Sequence, residues 1–191
     1  MKTCMIFILL LFSSLIISAC SSMLMIGTAA FVGTTWHDSR TLGTQLDDNV
    51  LKLYIYQALH KHNNIKKFTR ITSTVYQGNI LLTGQSPSIE LAQQAMQIVS
   101  KIPGVKNIYN AIRQHQPISF QDILIDCWIS NQIRLNLFTQ KNTHISNIKV
   151  ISENKEVFLL GQVTYKEGCN AKDIANNING VKNVFTVFIY I

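Results

Sequence analysis

Apolar residues are distributed along this chain in two ways. Across residues 5–17 they run almost unbroken, interrupted by Ser13 and Ser14, with no charge among them. Beyond residue 50 they recur at short, regular intervals. Leu51, Ile55 and Leu59 stand every fourth residue, as do Ile129, Ile133 and Leu137, which is the spacing of one face of an amphipathic helix. Residues 71–75 and 79–83 flank Tyr76-Gln77-Gly78 and predict a strand hairpin, and 148–152 and 156–160 around Glu153-Asn154-Lys155 predict another. A second helix is expected after each hairpin. In the first set Ser86 is placed to cap it, with Pro87 at the first helical position; in the second, Thr164 and Glu167 have capping-box spacing. Gly104 and Gly180 then end these helices, and residues 107–113 and 183–191 read as closing strands.

The two sets are copies of one unit. Gly104-Val105-Lys106-Asn107-Ile108 recurs as Gly180-Val181-Lys182-Asn183-Val184 at an offset of 76, and Ile80-Leu81-Leu82-Thr83-Gly84-Gln85 recurs as Val157-Phe158-Leu159-Leu160-Gly161-Gln162 at 77. The helical positions Leu51, Ile55 and Leu59 match Ile129, Ile133 and Leu137 at 78. Small gaps around a constant offset indicate internal duplication. Each copy predicts α-β-β-α-β, two helices on one face of a three-stranded mixed sheet, and the chain is α+β. Asp47-Asp48 and Asp126 are read as standing just before the first helix of each copy, where a carboxylate stabilises free amides and the positive dipole end.

The amino terminus carries an address. Lys2, the apolar run and then Ile17-Ser18-Ala19-Cys20 follow the order of a secretory signal peptide ending in a lipobox. On this reading Cys20 is acylated, and acyl burial at about 0.8 kcal/mol per methylene holds the protein on a membrane. An uncleaved anchor is the alternative, since about 20 apolar residues can span a bilayer. Ser21, rather than Asp, follows the cysteine, which resembles the outer-membrane-sorted class of Gram-negative lipoproteins. The predicted organisation is a signal peptide over 1–19, a lipidated N-terminus and glycine-bearing flexible tether over 20–46, and two domains over 47–115 and 116–191.

Several segments resemble a known family: Gly43-Thr44-Gln45-Leu46-Asp47-Asp48, Val75-Tyr76-Gln77-Gly78-Asn79-Ile80-Leu81-Leu82-Thr83-Gly84-Gln85-Ser86-Pro87, Ile112-Arg113-Gln114-His115-Gln116-Pro117-Ile118 and Glu156-Val157-Phe158-Leu159-Leu160-Gly161. With the duplicated unit and the lipobox, they resemble the dual BON-domain outer-membrane lipoproteins of Gram-negative bacteria, the DolP or YraP family. The resemblance implies a non-enzymatic, lipid-anchored protein on the periplasmic face of the outer membrane. It further implies binding to anionic phospholipid, support of outer-membrane integrity and association with the division site. Cys127 and Cys169 fall outside the family pattern.

Composition and candidate chemistry narrow the picture without changing it. The 191 residues carry 17 Lys+Arg against 10 Asp+Glu, a net charge of +7 that favours anionic partners without selecting among them. A periplasmic address argues against nucleic acid. Neither GxSxG, HExxH, a P-loop nor a dinucleotide fingerprint occurs, so no catalytic residue, cofactor or small-molecule substrate is expected. His60-Lys61-His62 is a poor metal pair, because residues two apart on a helix end point to different sides and the lysine repels a cation; no metal site is expected. Cys127 and Cys169 in the first turns of antiparallel helices would lie too far apart to bridge, so two free, mostly buried thiols are expected.

The helix read as starting at Asp126 has a second apolar face. Trp128, Leu135 and Phe138 lie away from Ile129, Ile133 and Leu137, accompanied by Asn131, Gln132 and flanking Arg134. Two partners fit it. An indole at headgroup depth with a guanidinium meeting phosphate suits anionic phospholipid, the contact the family resemblance implies for this helix; the other BON unit could equally cover it. An adaptor role, holding an envelope-assembly or cell-wall-remodelling protein, is the alternative function. Charge lies mainly in the first domain, where 47–115 balances to +5 and 116–191 to +1. Its run Lys61, Lys66, Lys67 and Arg70 reads as a loop, either steering the protein to anionic lipid or merely solvated.

The lipobox gives the first test. Cys20→Ala should accumulate as a larger, unlipidated precursor by gel mobility and radiolabelled-fatty-acid incorporation; unchanged lipid labelling would refute the assignment.

Overall fold

The computed structural model describes residues 42–139 and 148–191. Cys20, the leader and the tether as far as residue 41 lie outside these described residues. The first unit contains α1 (Leu42–His60), α2 (Asn63–Phe68), β1 (Arg70–Tyr76), β2 (Asn79–Ser86), α3 (Ile89–Ser100) and β3 (Asn107–Gln114). The second contains α4 (Phe120–Phe138), β4 (Lys149–Glu153), β5 (Glu156–Val163), α5 (Tyr165–Asn176) and β6 (Asn183–Tyr190). Each forms one mixed sheet, ordered β1-β2-β3 and β4-β5-β6, with an antiparallel hairpin and a parallel closing strand. The duplicated α-β-β-α-β plan is what the sequence predicts. Gly84 opposite Ile112 and Gly161 opposite Phe188 take the same place in the two sheets. At Gly84 φ is +117°, and a Cβ would lie 1.8 Å from the Arg70 carbonyl oxygen, so β1 and β2 close together there only around glycine.

Three cores follow from strand alternation. Ile80 and Leu82 turn toward Leu51, Ile55, Leu59, Ala95 and Val99 in the first unit; Val157 and Leu159 turn toward Ile129, Ile133, Leu137, Ala171 and Ala175 in the second. The intervening residues point the other way. Leu81, with Tyr76 and Ala111, meets Phe158 and Leu160, joining the two units through their sheets. This is why β2 and β5 read as continuous apolar runs rather than alternating ones: both faces are covered. Polar bonds frame the contact. Buried Glu153 accepts from Gln85 at 2.6 Å and pairs with Arg70, Arg113 meets Glu156 at 2.8 Å, and Lys149 donates to the Val75 carbonyl at 2.9 Å.

Three details differ from the sequence reading. First, α1 starts at Leu42, inside the stretch read as tether, and α4 starts at Phe120, six residues before Asp126. Ser119 caps α4, its hydroxyl accepting from the Asp122 amide at 3.2 Å and donating to the Asp122 carboxylate at 2.6 Å. That side-chain bond lowers the Asp122 pKa from its ordinary value. Second, Ser86 ends β2 and donates to the Ser88 carbonyl, leaving Ser88 to cap α3. Third, the basic run is not a plain loop, since it holds the short helix α2. The capping box at Thr164 and Glu167 is present as expected.

Asp48 and Asp126 therefore lie inside helices rather than before them. Each is buried and reaches its own hairpin turn. Asp48 accepts from the Gln77 and Gly78 amides at 2.8 and 3.0 Å, and Asp126 from the Asn154 and Lys155 amides, both at 2.7 Å. Both central residues of each turn have positive φ, from 51° to 79°, the type I′ geometry that suits a two-residue hairpin. Asn154 and Lys155 adopt it without a glycine, and the carboxylate offsets part of that cost.

Removing the clamp should be expensive. Asp126→Ala leaves two turn amides without their charged acceptor and should cost about 2–4 kcal/mol in urea unfolding. A loss below about 0.5 kcal/mol would show that water replaces the carboxylate freely.

Candidate functional site

Helix α4 is apolar on two sides. Ile129, Ile133 and Leu137 are buried in the second unit's core, along with Asp126 and Ser130. Phe120, Leu124, Ile125, Trp128, Leu135 and Phe138 are exposed, Trp128 at 50% and Leu135 and Phe138 above 60%. At 100° per residue Leu124, Trp128 and Leu135 fall within about 40° of one line, with Phe120 and Phe138 about 80° to one side of Trp128 and Ile125 about 60° to the other. Scattered exposed apolar residues are ordinary. Six large ones on one helix form a patch of the kind that meets a partner or a membrane.

The rotation of α4 is fixed from beneath. Arg134 donates to the Val150 carbonyl of β4 at 2.7 Å and to the Asn131 side chain at 3.0 Å. Its guanidinium thus pins the helix to the edge strand, and burial there lowers its pKa from the ordinary value. Because an arginine stays cationic under all ordinary conditions, the patch keeps a fixed positive flank. Gln132 is half-buried, and its backbone carbonyl accepts from Asn136 at 2.8 Å. Beyond Arg134, a groove of about 310 Å³ runs between Leu135, Leu137, Phe138 and Ile148.

The structure gathers all six residues read from the sequence, Trp128, Asn131, Gln132, Arg134, Leu135 and Phe138, on one helix. The units meet through sheets, not through α4, so the other unit does not cover Trp128. Phe120, Leu124 and Ile125 were missed, because the helix was expected to begin at Asp126. Ser119-Phe120-Gln121-Asp122 was the available signal, a capping serine three residues before a carboxylate.

The first unit carries a lesser version. Leu46, Val50, Leu53 and Tyr54 are exposed on α1, with Leu46 and Val50 at the positions of Leu124 and Trp128. Asp47 stands in place of Ile125, Gln57 in place of Leu135 and His60 in place of Phe138, which breaks the stripe. No helix among the described residues is long and apolar enough to cross a membrane. No group of three or more His, Cys, Asp or Glu residues among them could hold a metal ion. Cys127 and Cys169 are free, as read from sequence, but both are exposed rather than buried. Cys127 lies beside Trp128 on the outward side, and Cys169 follows Gly168, whose α-carbon alone faces the core side of α5.

The BON-domain family pattern matches residues 47–116 and 126–189. The outer membrane lipoprotein DolP of Haemophilus influenzae is 38% identical over 166 residues, covering 87% of this chain and 86% of its own. The 21 kDa hemolysin of Actinobacillus pleuropneumoniae is 36% identical over 154 residues, covering 81% and 79%. Among solved structures, CdsD, a structural protein of the type III secretion system of Chlamydia trachomatis, aligns over 77% of this chain and 92% of its own, at 11% identity and a TM-score of 0.31.

The corrected cysteine placement can be checked directly. Both Cys127 and Cys169 should react with a water-soluble maleimide in the native protein at rates within about tenfold of a free thiol, as exposed thiols do. Labelling of either residue that waits for denaturant would contradict the exposed placement of that thiol, Cys127 on α4 or Cys169 on α5.

Proposed function

The chain belongs to the BON-domain family, as an outer-membrane lipoprotein of the DolP kind, and from that premise we propose that it binds anionic phospholipid through the exposed face of α4. In doing so it supports outer-membrane integrity, with an association at the division site, and its role is one of binding rather than catalysis. The observation that carries this reading is the exposed stripe Phe120, Leu124, Ile125, Trp128, Leu135 and Phe138 beside a pinned guanidinium. An amphipathic tryptophan belongs at the depth of lipid headgroups, with aliphatic and phenyl groups below it and a cation at the level of phosphate. A relative named a hemolysin agrees with contact between such a chain and lipid.

A lipid anchor makes strong affinity unnecessary. A flexible tether supplies effective concentrations near millimolar, so a contact worth about 2–3 kcal/mol is enough to dock a helix already held at the surface. Partial burial of Trp128 and Leu135 alone is of that size, given roughly 1.5–3 kcal/mol for each large apolar side chain fully buried. The second reading, an adaptor for an envelope-assembly or cell-wall-remodelling protein, uses the same face and is favoured by its neutral polar members Asn131 and Gln132.

Vesicle flotation of the unlipidated chain beginning at Ser21 separates the two. The wild type should float with anionic vesicles and not with zwitterionic ones. Trp128→Glu should abolish flotation, while its melting temperature stays within about 2 °C, because a half-exposed side chain away from Ile129, Ile133 and Leu137 contributes little to the core. Failure of the wild type to bind either vesicle would favour the adaptor. A Trp128→Glu protein that still floats would move the contact elsewhere.

A further inference from the structure

Duplication has left a groove at the same place in both units, and the two have diverged in chemistry. In the second unit it is the apolar groove beneath Arg134, Leu137, Phe138 and Ile148. In the first, Tyr56, Leu59, His60 and Ile71 take those positions around a cavity of about 370 Å³. Leu59, Ile65 and Ile71 form an apolar floor. Lys52 and His60 of α1 and Lys66 of α2 stand around it, with Thr69 and Ser73 on the remaining side; Arg70 and Thr72 also border it, but strand alternation turns their side chains to the other face of the sheet, where Arg70 pairs with Glu153. Of the basic run noted in the sequence, Lys66 thus borders the cavity through its own side chain, and α2 is the element that folds it back there.

We propose that this cavity of the first unit binds a phosphate-bearing group. No Asp or Glu lines it. Arg70 already pairs with Glu153, whereas Lys52 and Lys66 carry no ion pair among the described residues. Like charges held on one rim raise each other's electrostatic energy, and an anion placed between them relieves that repulsion. Partial enclosure over an apolar floor strengthens the attraction relative to open solvent. Lysine offers a rotatable point charge and three donors, and the Ser73 hydroxyl adds a neutral donor on the strand side, whereas the Thr69 hydroxyl already donates to the Ile65 carbonyl at 2.7 Å. Among the described residues β1 pairs with β2 alone, so no strand covers its other edge beside the cavity. The first domain's +5 balance draws anions toward it over about a Debye length, roughly 8 Å at physiological salt. This site is separate from the α4 face and does not depend on lipid binding there.

The source of the phosphate, a free ion or a lipid headgroup, is resolved by two probes. The chain from residue 20 onward, carrying Cys20→Ser, is titrated at constant ionic strength with inorganic phosphate and with dihexanoylphosphatidic acid below its micelle concentration, and backbone amide shifts are followed by NMR. Saturable shifts should appear at Lys66 and across Thr69 to Ser73. Equal affinity for the two probes identifies free phosphate as the ligand, and at least tenfold tighter binding of the lipid identifies a headgroup whose chain uses the apolar floor. The double variant Lys52→Ala/Lys66→Ala should weaken binding at least tenfold with an unchanged melting temperature, and Lys52→Arg/Lys66→Arg should restore most of it. Trp128→Glu should leave these shifts intact, which keeps the outcome separate from that of the α4 face. Absence of saturable shifts with both probes, or unchanged binding by the double alanine variant, would overturn the proposal.

Discussion

Contact between the two sheets governs what the rest of the molecule can do. β2 and β5 are buried on both faces, one against helices of their own unit and the other against the neighbouring sheet. A strand in that position has no surface left for a ligand. The helices necessarily lie on the outer sides, so any recognition must use helix faces, sheet edges or the grooves between them. Interactions at the seam resist sliding as well as separation. Glu153 takes bonds from both Arg70 and Gln85, and the Tyr76 hydroxyl accepts from the Gln162 amide at 3.0 Å. A buried carboxylate is costly unless it is hydrogen-bonded, and here two donors from the first unit converge on its Oε1.

Orientation of the first helix in each unit follows from a second constraint. A buried carboxylate on α1 or α4 holds the turn of the hairpin packed beneath it, while the every-fourth-residue apolar row faces the same sheet. Two such fixings on one side of a helix leave little rotational freedom. The opposite side must then face outward whatever residues occupy it. In α1 that side holds Asp47, Gln57 and His60 among its apolar residues, and in α4 the same places hold Ile125, Leu135 and Phe138. Duplication supplied one scaffold; substitutions on the outward face, free of the demands of folding, made the two units chemically different.

This separation also explains what was legible in the sequence. Residues that serve the fold are repeated, so offsets of 76 to 78 exposed the strands, the core rows and the glycine at the end of the central strand. Residues that serve one unit alone are not repeated, and no copy announces them. Trp128 stood out because an indole on a row otherwise complete without it has no role in the core. Helix starts were misjudged at Asp47 and Asp126 because a carboxylate at the edge of an apolar row has the look of a cap. Only the fold shows that the partner amides belong to a turn about thirty residues away. The inward placement expected for Cys127 and Cys169 failed for a related reason: a small soft side chain carries too little information to assign a helix face. The cavity on the first unit was even less visible, since Lys52, Lys66 and Ser73 come from three elements and are joined by no spacing rule.

Charge and contact surface are divided between the units in a way the fold makes coherent. The domain with the larger positive balance carries the weaker apolar stripe, and the nearly neutral one carries the stronger. Long-range attraction does not require contact, whereas apolar burial requires nothing else. With the sheets joined, the two domains move as neighbours, so attraction acting on the first raises the local concentration of the second at an anionic surface. Placing both properties on one helix would set lysines among the residues to be buried, where each would bring a desolvation cost. Arg134 avoids that cost by standing at the edge of the stripe with two of its donors already satisfied by protein. A patch built this way can bind weakly and reversibly, as suits a protein whose attachment at Cys20 is expected to supply the permanent hold on the membrane.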